Sequence, residues 1–112
     1  MSDTLELEAT IEEAKAGIAL ANALDRLHQN KDFRLVMLKT FMEDEAIRLV
    51  HLKGHPNQVD AESQSIINTR IDSIGSVRNF FGSVQQQGKL FQNALEEAEA
   101  ELEGIDLDAE EV

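Results

Sequence analysis

The sequence has no cysteine, no tryptophan and no tyrosine, and a single proline, Pro56, in 112 residues. Without cysteine there is neither a disulfide framework nor thiolate chemistry. With five phenylalanines as the only aromatics, the core must be assembled from Leu, Ile, Val, Ala and a few Phe and Met. That palette suits helix-on-helix packing and suits strands poorly, because sheets favour aromatic and β-branched residues. No apolar run approaches the ~20 residues needed to cross a bilayer, so no membrane partner is expected. The opening stretch, Met1-Ser2-Asp3-Thr4-Leu5-Glu6, is acidic and lacks the basic and apolar regions of a signal peptide. A cytoplasmic origin is the expectation.

Basic residues are also scarce. The formal charge is −12, which argues against direct nucleic-acid binding through phosphates. Residues 1–13 carry Asp3, Glu6, Glu8, Glu12 and Glu13 with no base, and residues 90–112 carry Glu96, Glu97, Glu99, Glu101, Glu103, Asp106, Asp108, Glu110 and Glu111 with none. Every Lys and Arg lies between Lys15 and Lys89.

Signatures of catalysis are missing too. There is no P-loop, GxGxxG or GxSxG, and no nucleophile beside a plausible base. His51 and His55 have the i, i+4 spacing of two ligands, but Gly54 intervenes and no third ligand is nearby. The run Asp106-Leu107-Asp108-Ala109-Glu110-Glu111 lacks the glycine and ligand pattern of a calcium loop. The expectation is therefore a chain without catalytic residues, cofactor or metal.

What is present is helical periodicity. Ile11, Ala14, Ile18, Ala21 and Leu24 recur at spacings of three and four and predict a helix over about 5–28, with Leu20 and Leu27 beside the stripe. His28-Gln29-Asn30-Lys31-Asp32 predicts a kink or short break, with Asn30 able to cap the next segment. A second helix is expected over about 31–53. Phe33, Val36, Met37, Phe41, Ile47 and Val50 are read as one face, widened by Leu35, Leu38, Met42, Leu49 and Leu52, with Glu45 placed to pair with Arg48. Gly54-His55-Pro56-Asn57 is the clearest stop signal. A third helix is expected over about 57–103. Its seam runs Ile67, Ile74, Phe81, Gly88, Leu95 and Leu102, with a companion row Arg70, Val77, Val84, Phe91 and Ala98. Gly75 and Gly82 suggest a close helix approach and Gly88 a bend, while residues 104–112 read as an acidic flexible tail.

The spans 5–53 and 57–103 are nearly equal, each roughly 70 Å at ~1.5 Å per residue. The expected fold is a single-domain, all-α, coiled-coil-like antiparallel hairpin with its first arm broken or kinked near Asn30. A reversal at Asn30 would instead give a three-helix bundle. The hairpin places both acidic termini together, where they fray or take a basic partner. The surplus apolar residues Leu35, Leu38, Met42 and Leu49, and the acidic Glu96, Glu97, Glu99, Glu101 and Glu103, are the candidate protein-binding residues. Arg70 and Arg78 are expected on or beside the seam, near Glu43, Asp44 or Asp72.

Several stretches resemble small helical proteins of tailed bacteriophages: Ala23-Leu24-Asp25-Arg26-Leu27, Asn30-Lys31-Asp32-Phe33, Phe41-Met42-Glu43-Asp44-Glu45-Ala46-Ile47-Arg48-Leu49-Val50, Ile71-Asp72-Ser73-Ile74-Gly75-Ser76-Val77-Arg78 and Ala94-Leu95-Glu96-Glu97-Ala98-Glu99. The likeness covers residues 23–103. It implies a setting among virion structure and assembly proteins, with a host-cytoplasmic or virion-associated location. The implied partners are other subunits, either copies of this chain or phage virion proteins. It implies no activity. A different expectation, from charge alone, is an acidic inhibitor or chaperone that covers a basic, nucleic-acid-binding protein.

Overall fold

A computed structural model describes residues 2–55 and 60–111, and the side chains of all but 2 and 109–111 among them. The chain is an all-α helical hairpin with no strand among the described residues. Helix α1 spans Ser2–Gln29, a single turn α2 spans Lys31–Phe33, a π-helical segment spans Arg34–Asp44, α3 spans Glu45–Lys53, and α4 spans Ala61–Glu111. The chain divides into two compact units, each drawing on both arms: Met1–Asp25 with Ser83–Val112, and Arg26–Gly82.

The break at Asn30 is a one-residue interruption. Asn30 leaves the helical conformation (φ −72°, ψ 125°), and its Oδ1 accepts from Phe33 N at 2.9 Å, capping the next turn. The chain does not reverse there, because His28 before the break and Phe33 after it both meet Phe81, with ring centroids 5.5 and 5.9 Å away. The hairpin, not the three-helix bundle, is the fold. The reversal comes after Lys53, where Gly54 N donates to Val50 O and His55 N to Leu52 O, both at 3.1 Å. The part of the stop signal at Pro56 and Asn57 lies outside the described residues. Asp60 opens the return helix by accepting Ser63 N at 2.8 Å on its carboxylate.

In the unit Arg26–Gly82 the core is Leu49, Ile67 and Ile74, flanked by Phe41, Met42, Ala46 and Ile71. The companion row of the α4 seam thus begins at Ile71, and Arg70 is exposed. In the other unit the buried residues are Ile11, Ala14, Ala21 and Leu24 on α1 with Val84, Gly88 and Ala98 on α4. The glycine assignments change places. Gly75 and Gly82 have no neighbour where a methyl would go, whereas a methyl on Gly88 would sit 2.5 Å from Ala21 Cβ. A methyl on Gly17 would meet the Phe91 ring. Gly88 is therefore a close-approach site in an unbroken helix rather than a bend. Helix α4 also continues through the segment expected to be a tail, to Glu111.

Candidate protein-interaction site

The segment Arg34–Asp44 departs from α-helical bonding. Glu45 N donates to Thr40 O, and Thr40 Oγ1 donates to Leu35 O at 2.7 Å, both five residues back. Lys39 Nζ reaches Asp44 Oδ1, also at i+5, at 2.6 Å. In an α-helix residues five apart do not share a face, since neighbours fall at i+3 and i+4. The wider winding brings them together and holds the Lys39 pKa above its ordinary value through the hydrogen bond and charge of Asp44. Such windings are rare and concentrate at functional sites.

The winding also shifts the phase of the first arm, which corrects the assignment of its apolar residues. Leu49 is 1% exposed and forms the centre of its core, and Met42 packs against that core. Leu49 is therefore a core residue of its own unit rather than surplus apolar surface. Leu38 is half-buried, beside Met42, Glu43 and Arg78, and Leu35 is exposed as expected. Val36, Ile47 and Val50, read from sequence as core, are exposed.

Between the π-helical segment and α4 runs an open groove lined by Val36, Thr40, Phe41 and Leu49 on one side and by Ser73 and Ile74 on the other, with Glu45 and Arg70 among its walls. Its Glu45 carboxylate is paired. Arg48 Nε donates to Glu45 Oε2 at 2.9 Å, Nη2 donates to Oε1, and the Glu45 pKa is lowered by the Arg48 hydrogen bond and by the charges of Arg48 and Arg70. Its hydroxyls are occupied within their own helices: Thr40 on Leu35 O, and Ser73 Oγ on Thr69 O at 2.9 Å. On α4, Ile66 and Phe80, each seven residues from Ser73, are 50% and 59% exposed. A row at heptad spacing keeps to one face of a helix.

The second candidate region is the acidic one. Unit Met1–Asp25 with Ser83–Val112 holds fifteen acidic residues against Lys15 and Lys89, a formal −13, while Arg26–Gly82 holds seven acids and eight bases, or +1. Gly17 against Phe91 and Ala21 against Gly88 set α1 and α4 antiparallel there, so residues 3–13 run alongside the α4 turns that carry the exposed Glu96, Glu97, Glu99, Glu101 and Glu103.

His51 is on α3 and His55 lies beyond its end, both exposed. Among the described residues no three His, Asp or Glu side chains are grouped to hold a metal, and no helix is long and apolar enough to cross a membrane. Comparison with family models, with curated proteins and with solved structures finds no match for this chain.

Proposed function

We propose that this chain is a non-enzymatic bacteriophage structural or virion-assembly protein that works through helix–helix contacts with other protein subunits. The observation that carries the contact reading is the open apolar groove of Arg26–Gly82, whose Glu45 carboxylate and hydroxyls are already hydrogen-bonded. A groove of that kind gains by being covered with apolar side chains and loses little by desolvation. The phage setting rests on the sequence resemblance. Mass spectrometry of purified virions and of assembly intermediates tests it. Stoichiometric presence in either is expected, and absence from both overturns the reading.

A second reading, an acidic inhibitor or chaperone for a basic protein surface, is favoured by the −13 charge gathered in one unit. Electrostatic association of that sort is fast and weakens with salt. Pull-downs at low and high salt separate the two: retention of a basic partner at low salt only is expected here, and no such partner at low salt ends this reading.

A further inference from the structure

We propose that the groove of Arg26–Gly82 seats an amphipathic helix of a partner protein, and that this helix carries a carboxylate where it faces Arg70. This rests on the helix-contact reading above and gives the partner its chemistry.

The shape of the groove calls for a helix. Val36 and Phe41 are five residues apart, as are Thr40 and Glu45, yet all four line the groove from the first arm. An α-helix, at ~100° per residue, would turn the second member of each pair ~140° away from the first. The i to i+5 bonding of Arg34–Asp44 therefore builds a broad wall, on which Val36, Phe41 and Leu49 stand across from Ile74 of α4. The resulting trough measures about 500 Å³ and is open to solvent. Small-molecule pockets bury ~70–90% of their ligand, which an open trough between two helices does not do. A helix that lays apolar side chains at i, i+3 or i+4, and i+7 into the trough covers it.

The charges on the walls set the sign of the partner. Glu45 accepts two hydrogen bonds from Arg48, so its charge is already matched. Arg70 is a second cation on the wall. It acts on Glu45 through its charge alone, and among the described residues it has no ion-pair partner. The hydroxyls of Thr40 and Ser73 are engaged within their own helices. Of the polar side chains on these walls, Arg70 is thus the one left to recognise a partner. Its planar fork of donors matches a carboxylate, whereas a lysine or arginine in that place would meet like charge. The chain's formal charge of −12 opposes a helix that is acidic throughout. The pattern that fits is therefore a single carboxylate beside the apolar anchors, on a helix otherwise neutral or basic.

Selection of a helical-peptide library against the full chain tests this. The library fixes apolar anchors at i, i+3 and i+7 and randomises the flanking positions. Enriched peptides are expected to converge on Asp or Glu at one offset from the anchors. Arg70→Glu, with helicity checked by circular dichroism, is expected to weaken the selected peptide at least about tenfold, because it sets two like charges where a pair stood. Exchanging the peptide's acid for lysine is expected to restore binding to Arg70→Glu and to weaken it on the unaltered chain. Val36→Glu, at an exposed position in the trough, is expected to weaken every selected peptide. Dodecanoate, a carboxylate amphiphile without a helix, is not expected to displace them. No enrichment, enrichment without an acid at a fixed offset, or indifference to Arg70→Glu overturns the proposal. So does displacement by dodecanoate, or a self-association of the unaltered chain that Val36→Glu abolishes, which would make a second copy the occupant. A chain that selects such helices but is absent from virions and assembly intermediates loses the phage setting and keeps this site. A chain present in virions that selects none keeps the setting and loses the site.

Discussion

Replacing Gly88 with alanine adds one methyl where α4 crosses α1. That methyl would lie 2.5 Å from Ala21 Cβ and 4.0 Å from Ala21 Cα, about 1.0–1.5 Å short of the 3.5–4.0 Å at which two carbons rest comfortably. Neither alanine has a side-chain torsion through which to escape, so the two helix backbones must part. Overpacking of this size costs ~1–3 kcal/mol, against which Gly→Ala in a helix interior returns ~1 kcal/mol. Gly88→Ala is therefore expected to be neutral to ~2 kcal/mol destabilising. Gly75→Ala and Gly82→Ala, with nothing within 4 Å of the new methyl, are expected to stabilise by up to ~1 kcal/mol. The sharper quantity is the coupling between positions 21 and 88. Moving the methyl across the contact, with Gly88→Ala and Ala21→Gly together, relieves the clash and is expected to show ~1–3 kcal/mol of favourable coupling relative to the two single changes. Urea denaturation monitored by circular dichroism, at one fixed protein concentration because association shifts apparent stability, reads all five variants. If Gly88→Ala stabilises as much as Gly75→Ala, or if Ala21→Gly fails to rescue it, the close approach at this crossing is refuted.

Leu49→Ala is expected to cost ~2–5 kcal/mol, since Leu49 is the most buried large side chain of the unit Arg26–Gly82; a loss below ~1 kcal/mol by denaturation would contradict its central place. Asn30→Ala removes the acceptor for Phe33 N and is expected to cost ~1 kcal/mol, read as a lowered thermal midpoint. The Asp60 pKa is held down by the backbone hydrogen bond from Ser63, then by the Ser63 side chain. Its stabilising contribution is thus complete above the unfolded-state pKa and is lost as pH falls through the folded-state value. Asp60→Asn is expected to flatten that acid limb in thermal melts taken across pH, and an unchanged limb would remove Asp60 from the account.

Much of the hairpin is written in local signals. Gly54 after a periodic run marks the end of α3, and Asn30 three residues before Phe33 is a cap legible from residue type and spacing. The heptad row of α4 is legible for the same reason: one uninterrupted helix preserves one phase over its length. The candidate binding face is only half legible. Leu35 is exposed as its excess over the seam suggests, but Leu49 is core, and Val36 and Val50 are on the surface. Counting apolar side chains at α-helical spacing fails through 34–44, where the bonding is i to i+5. The i+5 pairs Lys39 with Asp44 and Leu35 with Thr40 are a clue, but single pairs at that spacing mean little without coordinates. Gly88 reads as a bend because glycine's weak helix propensity is visible in sequence and a neighbouring helix is not. Arg70 yields the seam to Ile71 because one step along a helix turns ~100°, and either residue fits a spacing of three or four.

The π-helical segment also bears on how such an arm can change length. In an α-helix each residue added or removed rotates everything beyond it by ~100°, so a one-residue deletion in α4 would carry half its seam off the partner helix. The stretch Arg34–Asp44 already absorbs a mismatch of that kind, since its turns hold more residues than α-helical ones. It acts as a slack coupling between the capped turn at Asn30 and the rigid core at Leu49. Gains and losses of single residues should gather there in relatives of this chain, while α4, with no comparable give, holds its length.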